Sequence, residues 1–184
     1  MRLDPIVIGP YDLSWPASFD AQRSRITPVL QPWLTRDIEH MGSTAVPGLP
    51  AKDIVDMLAV VADIEPVREA VDPMAAVGWL HAPEPYDSAE RRLSFCFPSI
   101  EHRTHHLHVV EDASPDWRGW LAFRDHLRAH DSVAREYASL KTELADAHGG
   151  DPDQRDAYRG GKAEFILTIT EVALRDGPSA SRPR

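Results

Sequence analysis

Hydrophobic and polar residues follow two different periods along the first third of the chain, and each period predicts a type of element. Ser14 is a favourable helix cap and Pro16 suits a first turn, so the apolar residues that follow at helical spacing predict a helix. A short strand is predicted at 37–41. The nearly continuous apolar run at 54–61 is typical of a strand that is covered on both faces. The small residues of 42–52 would form the loop between these two strands.

Two further strands are predicted in the middle of the chain, after a second helix over 63–78. The segments 91–97 and 105–111 show the alternation of side chains that is typical of strands. In the later segment His106 and His108 stand two positions apart, which places both side chains on the same face of the strand. This predicted face therefore carries imidazole groups.

The remainder of the chain has the periodicity of helices. Ser114 and Asp131 would cap two consecutive helices, and Asp151 begins a capping box that would start a third. Gly160 and Gly161 lie inside this last helical pattern, where two glycines weaken a helix by about 2 kcal/mol relative to alanines. We therefore expect a break in the helix, or a close approach of another backbone, at that point.

Strands interleaved with helices and followed by helices alone indicate an α/β (α+β) fold, with a mixed β-sheet flanked by helices and a C-terminal helical run. The chain has 184 residues, of which 42% are apolar and 27% are charged, which fits one globular domain. We place that domain at residues 1–173. The polar residues 174–184, rich in proline and serine, have no periodicity and are predicted to form a disordered tail.

Charge and composition exclude several classes of protein. The net charge of −9 argues against general adhesion to nucleic acid or to an anionic membrane. The longest apolar run is far shorter than the roughly 20 residues that a membrane helix needs, and the N-terminus lacks the apolar core of a signal sequence. Cys96 is the only cysteine, so no intramolecular disulfide can form. These features predict a cytoplasmic protein that binds neither nucleic acid nor membranes, and they leave the oligomeric state open.

The stretch 38–61 carries the pattern that is most informative about chemistry. A strand ends at Gly42 and Ser43, where the backbone N–H groups of a glycine-containing turn are able to cradle phosphate groups. The next strand carries Asp53 and Asp56, and a carboxylate there would hold a divalent cation against the same phosphates. A Gly-Ser pair alone is usually just a turn. A glycine-containing turn that is followed by an acidic residue on the next strand predicts a phosphate site.

Five stretches of the sequence together resemble the GrpB family. They are HMGSTAVPGLPAKDIVDMLAVV, HHLHVV, WLAFRDHLRAH, YASLK and YRGGKAEFI, and they occur in the family's order between Tyr11 and about Ile169. The GrpB family is similar in fold to the nucleotidyltransferases, so the resemblance implies a nucleotidyltransferase-like mixed sheet with flanking helices. It also points to phosphate-bearing ligands, because GrpB-like domains occur joined to dephospho-coenzyme A kinase.

The acidic residues depart from the nucleotidyltransferase pattern, in which a second acid follows the first at i+2 on one strand face. Here Val55 follows Asp53 at that spacing, and Leu58 follows Asp56. Because the GrpB pattern usually has proline at the position of Asp53, the resemblance assigns the acidic role to Asp56. A two-metal site built on paired carboxylates is therefore not expected.

Imidazole groups would replace the missing carboxylate. His106 and His108 share a strand face at a spacing that suits metal ligands, and His40 would approach from a neighbouring strand. Together with Asp56, these residues would favour zinc, iron or manganese over magnesium. The alternative is that the histidines only form hydrogen bonds or stay exposed. Two more are predicted to be exposed, on or near the opposite face: His102 and His105.

Basic side chains of the helical part would complete the pocket. Arg124 and Arg128 stand one helical turn apart and would hold phosphate or carboxylate oxygens, or else form a surface ion-pair face with nearby aspartates. Lys141 and Lys162 each follow a tyrosine by four residues, as in the GrpB pattern, and Tyr158 is one of these tyrosines. They would line a phosphate pocket, unless they only cover apolar surface.

The main prediction is a nucleotidyltransferase that binds a nucleoside triphosphate, or a related phosphate-bearing small molecule, with a divalent metal such as Mg, Mn or Zn. The catalytic residues would be Asp56, Arg124 and Arg128. The ligand-binding residues would be Gly42, Ser43, Thr44, Lys52, Lys141, Tyr158 and Lys162. The metal ligands would be Asp56, His40, His106 and His108. Two alternatives stay open: a non-catalytic module that binds a nucleotide or coenzyme A-type ligand, and a His-ligated metal-dependent hydrolase or lyase.

Overall fold

A mixed β-sheet forms the centre of the fold, as the sequence predicts, and it has five strands. The computed structural model describes residues 6–84, 87 and 91–176. The strands are β1 (Glu39–Met41), β2 (Val55–Val61), β3 (Leu80–His81), β4 (Arg92–Phe97) and β5 (His105–Glu111). Their order in the sheet is β1-β2-β5-β4-β3, and β2 and β5 are parallel whereas the other neighbours are antiparallel. The mixed α/β fold class is thereby confirmed.

Seven α-helices surround the sheet in the described part of the chain. They are α1 (Trp15–Leu30), α2 (Ile64–Val67), α3 (Val71–Ala76), α4 (Asp116–Ala129), α5 (Asp131–His148), α6 (Arg155–Gly160) and α7 (Ala163–Asp176). The single helix predicted over 63–78 is divided into α2, a 3₁₀ turn and α3. Pro73 lacks the N–H that would bond to the carbonyl of Glu69, so the α-helical hydrogen bonds cannot run through this point.

The strand predictions differ in quality with the length of the strand. Those at 54–61, 91–97 and 105–111 match β2, β4 and β5 to within one residue. The prediction at 37–41 begins two residues before β1. Strand β3 was not predicted, because two residues are too few to show an alternation.

The C-terminal helices are divided where the sequence has two glycines. Helix α6 ends at Gly160 and α7 begins at Ala163, which confirms the expected break. Helix α7 continues to Asp176, so residues 174–176 are helical and do not belong to the predicted tail. The remainder of that tail, 177–184, lies outside the described residues. Of the helices in the described part of the chain, none combines the length and hydrophobicity needed to cross a membrane.

One face of the sheet, which we call the closed face, is sealed by helices α1 and α3. Alternate side chains of β2, β4 and β5 point to this face and pack against the two helices. Met57, Phe95 and Leu107 are completely buried there, together with Ile26 and Leu30 of α1. This layer is the main hydrophobic core, and it is built on β2, β4 and β5.

The opposite face, which we call the open face, has an apolar half and a polar half. The apolar half is a cluster of Met41, Leu58, Val60, Val110 and Trp117. The polar half carries Asp56 near the start of β2, and His106 and His108 on the parallel strand β5. The C-terminal helices stand over this polar half without closing it, so a cavity remains between them and the sheet.

Candidate functional site

The cavity over the open face has a volume of about 1040 Å³ and brings together most of the predicted site residues. Those that line it are Gly42, Ser43, Thr44, Lys52, Asp56, His106, His108, Arg124, Lys141, Tyr158 and Lys162. Two predicted site residues are not part of its lining: His40 and Arg128. The turn after β1, the acid on β2 and the imidazoles on β5 therefore meet in one open cleft.

Asp56, His106 and His108 form a group with the geometry of a metal site. The parallel register places Asp56 beside His106, and one ligand atom from each of the three residues lies within 4.8 Å of the others. His106 Nδ1 is 3.9 Å from Asp56 Oδ1, and the two imidazole rings are 4.2 Å apart between centroids. The 3.9 Å between Nδ1 and Oδ1 is too long for a direct hydrogen bond. Ligand atoms that lie this close together are able to share one cation.

The donor set fits a divalent transition metal. His108 Nδ1 is buried and has no hydrogen-bond partner in the described part of the chain. Burial lowers the pKa of His108 to about 4, so its ring is neutral and able to bind a metal at neutral pH. Two imidazoles and one carboxylate favour zinc, manganese or iron, and three protein ligands leave coordination positions for a substrate.

His40 is not part of this group, contrary to the prediction. In the antiparallel register His40 stands opposite Met57, so its side chain points to the closed face. There the ring stacks on Phe19 with centroids 4.8 Å apart, and Nε2 lies 3.0 Å from Thr44 Oγ1. Burial lowers the pKa of His40 to about 4. Through its contact with Thr44, His40 positions the turn from the closed face of the sheet.

His105 also differs from its prediction as an exposed residue. Only 4% of His105 is exposed, because its side chain lies on the closed face under α1. Its Nε2 is 3.0 Å from Ser18 Oγ, and its Nδ1 is 2.8 Å from Thr104 Oγ1. The prediction that His102 is exposed is confirmed.

The turn after β1 needs glycine for two reasons. Gly42 has a φ of 72°, which side chains rarely tolerate. A Cβ atom at this position would also stand only 2.6 Å from Asp56 Oδ2. The carboxylate of the proposed metal ligand therefore lies directly against the backbone of the turn. The acid and the turn belong to one compact unit.

Arg124 and Arg128 hold the backbone around this turn. Arg124 Nη1 donates to Glu39 Oε2 at 2.8 Å and to the carbonyl of His40 at 2.7 Å. Arg128 Nε donates to the carbonyl of Ala45 at 2.8 Å. Both guanidinium groups also pair with Asp125, which agrees with the alternative prediction of an ion-pair face. Arg124 is 8% exposed and forms part of the cavity wall, whereas Arg128 does not line the cavity.

Three lysines approach the cavity from different elements. Lys141 is 2% exposed, and its Nζ donates to Ser43 Oγ at 3.0 Å and to the carbonyl of Pro50. Burial, with help from nearby lysines, lowers the pKa of Lys141 to about 7. Lys162 and Lys52 place their Nζ atoms 4.3 Å and 4.9 Å from the centroid of the Tyr158 ring. Burial lowers the pKa of Lys162 to about 8.

Sequence reasoning missed several charged residues of the cavity. Buried nitrogen atoms of two arginines have no hydrogen-bond partner in the described part of the chain, namely Nε and Nη2 of Arg155 and Nε of Arg103. Arg159 also lines the cavity. Glu84 accepts a hydrogen bond from Arg103 at 3.2 Å and stands 3.7 Å from His106 Nε2. Arg159 lies in the GrpB-like stretch YRGGKAEFI, whereas no spacing in the sequence indicates Arg155, Arg103 or Glu84.

Comparisons with known proteins agree on one family. The sequence model described as GrpB protein matches residues 5–172. The UPF0157 protein YqkA of Bacillus subtilis is 38% identical over 90% of this chain, which spans only 46% of that relative. The dephospho-CoA kinase of Mycolicibacterium paratuberculosis is 27% identical, over 84% of this chain and 46% of the kinase. The crystal structure of conserved protein GrpB from Enterococcus faecalis superposes with a TM-score of 0.80 at 30% identity, covering 92% of this chain and 98% of the other. The chain belongs to the GrpB family.

Proposed function

We propose that the chain is a metal-dependent enzyme of the nucleotidyltransferase type, whose cavity binds a nucleoside triphosphate or a related phosphate-bearing ligand. One observation carries the proposal. The Asp56, His106 and His108 group faces the same cavity as buried arginine N–H groups that have no acceptor in the described part of the chain. A cation site and an anion site side by side are the two parts that a metal–phosphate complex requires.

The arginines supply the anion site. Leaving a buried donor without an acceptor costs about 1–3 kcal/mol, and more when the group is charged. Phosphate oxygens would satisfy the free N–H groups of Arg155 and Arg103, and planar guanidinium groups bind phosphate in a bidentate manner. Lys52 and Lys162 add positive charge on the same walls. The cavity thus concentrates cations in a protein whose net charge is −9.

The cation site would complete the neutralisation of charge. A divalent ion held by Asp56, His106 and His108 would supply positive charge at the phosphate oxygens. Gly42 and Ser43 would place the chain close to those phosphates, and Arg124 would keep the turn in position through the carbonyl of His40. The name of one relative, dephospho-CoA kinase, also refers to a phosphate-bearing molecule.

A metal-dependent phosphohydrolase is the second candidate, and the ligand set is the observation that favours it. Two imidazoles and one carboxylate resemble the three-ligand sets of hydrolytic zinc sites more than the paired carboxylates of two-metal transferases. The two candidates share the same site and the same class of ligand. They differ in the acceptor of the transferred group, which is an alcohol or phosphate in one and water in the other.

Metal analysis and thermal shift measurements test the site. We expect the purified protein to bind about one zinc or manganese ion, and Asp56→Asn to lose that ion. ATP with Mn²⁺ should raise the melting temperature. Arg155→Gln should weaken this binding at least about tenfold, because two charge-assisted hydrogen bonds are lost. Arg23→Gln is the matched control, since Arg23 pairs with Asp20 on the exposed surface.

Product analysis then separates the candidates. Release of pyrophosphate from a nucleoside triphosphate supports transfer of a nucleotidyl group, and release of phosphate alone supports the hydrolase. Binding without any product would make the domain a non-catalytic module for such ligands. Absence of both metal and phosphate-ligand binding, or equal binding by wild type and Arg155→Gln, would contradict the proposal.

A further inference from the structure

Ser43 and Lys141 form a contact that the proposed phosphate site does not require. Lys141 Nζ on α5 lies 3.0 Å from Ser43 Oγ, although the two residues are 98 positions apart in the chain. The carbonyl of Pro50 accepts a second hydrogen bond from the same Nζ. Ser43 is half-buried and lines the cavity, whereas Lys141 is 2% exposed. The hydroxyl is therefore open to a ligand while the amine behind it is shielded from water.

The surroundings of Lys141 favour a neutral amine. Its Nζ stands 4.9 Å from the centroid of the Tyr137 ring, and Tyr137 also hydrogen-bonds to Ser43. Burial raises the pKa of both Tyr137 and Tyr158, so these phenols are uncharged at neutral pH. Lys52 and Lys162 oppose a further positive charge, and burial is the largest of the effects that lower the pKa of Lys141 to about 7.

A neutral amine in this position would be able to accept a proton from serine. One N–H of Lys141 is directed to the carbonyl of Pro50, which fixes the rotation of the amine. Once Lys141 has lost the proton that it donates to Ser43 Oγ, the nitrogen lone pair is available to the Ser43 hydroxyl at the same distance of 3.0 Å. Contact with a base is the general requirement for a serine to act as a nucleophile.

We infer that Ser43 and Lys141 are a nucleophile and its base, and that Ser43 Oγ takes up the phosphoryl or nucleotidyl group before it passes to the acceptor. This inference rests on the proposed function, since the same cavity supplies the phosphorus electrophile. A bond forms between Ser43 Oγ and phosphorus, and the serine proton moves to Lys141 Nζ. The bond from phosphorus to the leaving oxygen breaks, which releases pyrophosphate when a nucleotidyl group is transferred and the nucleoside diphosphate when a phosphoryl group is transferred. In the second step the acceptor oxygen displaces Ser43 Oγ from phosphorus and releases its proton to solvent, while Lys141 returns its proton to Ser43.

Diisopropyl fluorophosphate tests the pair without knowledge of the natural substrate. Attack by Ser43 Oγ forms an oxygen–phosphorus bond, breaks the phosphorus–fluorine bond with release of fluoride, and transfers the proton to Lys141. We expect mass spectrometry of the intact, folded protein to place the modification on Ser43. The rate should rise about tenfold per pH unit up to a pH near 7 and then level off, following the pKa of Lys141. Ser43→Ala should abolish the modification, whereas Ser139→Ala, on the exposed side of α5, should leave it unchanged.

Lys141→Arg separates a base from a structural contact. Arginine keeps the hydrogen-bond donors but stays protonated and does not accept a proton at these pH values, so the rate should fall at least about 100-fold and lose its dependence on pH. If this variant does not fold, the pH dependence of the modification rate of the wild-type protein tests the inference, together with the loss of that modification when the protein is unfolded in urea. Modification of Ser43 that is no faster than that of Ser139, or a rate independent of pH, would overturn the inference. Retained binding of ATP without modification of Ser43 would overturn this inference alone, and modification without any ligand binding would overturn only the proposed function.

Discussion

The two faces of the sheet are built from the same strands but have opposite characters. On the closed face Met57 and Leu107 are completely buried beneath α1. One position before or after them in the chain, Asp56, His106 and His108 point to the open face and line the cavity. Since side chains alternate along a strand, one short segment supplies both the core and the chemistry. The group of Asp56, His106 and His108 therefore needs no structure beyond the register of β2 and β5.

The polar half of the open face lowers the stability of the fold, and the well-covered apolar half beside it offsets this loss. Leu58 and Val60 on β2 are completely buried and pack against Trp117 of α4. In contrast, His108 keeps a buried nitrogen without a partner in the described part of the chain, which costs about 1–3 kcal/mol. The closed face and the apolar half therefore supply the stability, and the polar half is the place where stability is given up for binding.

The largest effect is expected from Phe95→Ala, which tests whether the closed face carries the stability. Phe95 is completely buried on that face, and replacing such a side chain by alanine lowers the free energy of unfolding by about 3–5 kcal/mol. Asp56→Asn on the open face keeps the size of the side chain, so it should change the stability of the metal-free protein by less than about 1 kcal/mol although it removes metal binding. Urea denaturation measures both variants, and equal losses would refute the division between the faces.

Stability is expected to fall below neutral pH, because burial lowers the pKa of His40 and His105 on the closed face and of His108 on the open face. The pKa of His40 is about 4 in the folded protein, and burial also lowers the pKa of His105, whereas an unfolded histidine titrates near 6.5. Below pH 6.5 the unfolded chain binds more protons than the folded chain, so the stabilising contribution of His40 is complete above pH 6.5 and is lost as the pH falls toward 4, by up to about 1.4 kcal/mol per pH unit. The contribution of His105 is lost in the same direction. Denaturation curves at several pH values should show a smaller slope for His40→Gln. Parallel curves for wild type and variant would contradict this assignment.

Gly42→Ala tests whether the turn and the acid form one unit on the open face. The positive φ and the approach of Asp56 should together cost about 1–3 kcal/mol. Gly48→Ala is the matched control, because Gly48 has a φ of 79° but its added Cβ would meet no atom within 4 Å. The difference between the two variants measures the contact with Asp56, and metal binding should decline only for Gly42→Ala. Equal losses of stability, with metal binding intact in both, would show that the contact is unimportant.

The sequence predicts the facing of a side chain where the geometry of one long strand sets it. It does not predict the facing where contacts between distant segments set it. The alternation of β5 and the position of Asp56 were sufficient to place His106 and His108 in the cleft, because both follow from the geometry of long strands. His40 was placed wrongly, since β1 has only three residues and its facing is set by pairing with β2. His105 was placed wrongly because nothing in its own segment indicates that α1 covers it.

Charged side chains show the same limit in another form. Arg124 was predicted as a catalytic residue from its helical spacing and Lys141 as a ligand-binding residue from the GrpB pattern, and both do reach the cavity wall. Their hydrogen bonds to the carbonyls of His40 and Pro50 depend on contacts between distant segments, which no local pattern encodes. Arg155 remained unpredicted for the complementary reason, since its importance lies in the absence of a partner in the described part of the folded chain.

The smallest effect is expected at the junction of α6 and α7, which forms the outer wall of the cavity. Gly160 is the last residue of α6 and an added Cβ would meet no atom within 4 Å, so Gly160→Ala should raise the free energy of unfolding by about 0.4–1 kcal/mol. At Gly161 the Cβ would stand 2.5 Å from Leu144 Cδ2, so the half-buried Leu144 side chain must shift and Gly161→Ala should stabilise the protein less than Gly160→Ala does. Thermal unfolding distinguishes the two neighbours. If Gly160→Ala also left ATP binding unchanged, the junction would be a structural break only. Weaker binding in this more stable variant would mean that the wall must move to admit the ligand, and the open face would then differ from the closed face in mobility as well as in polarity.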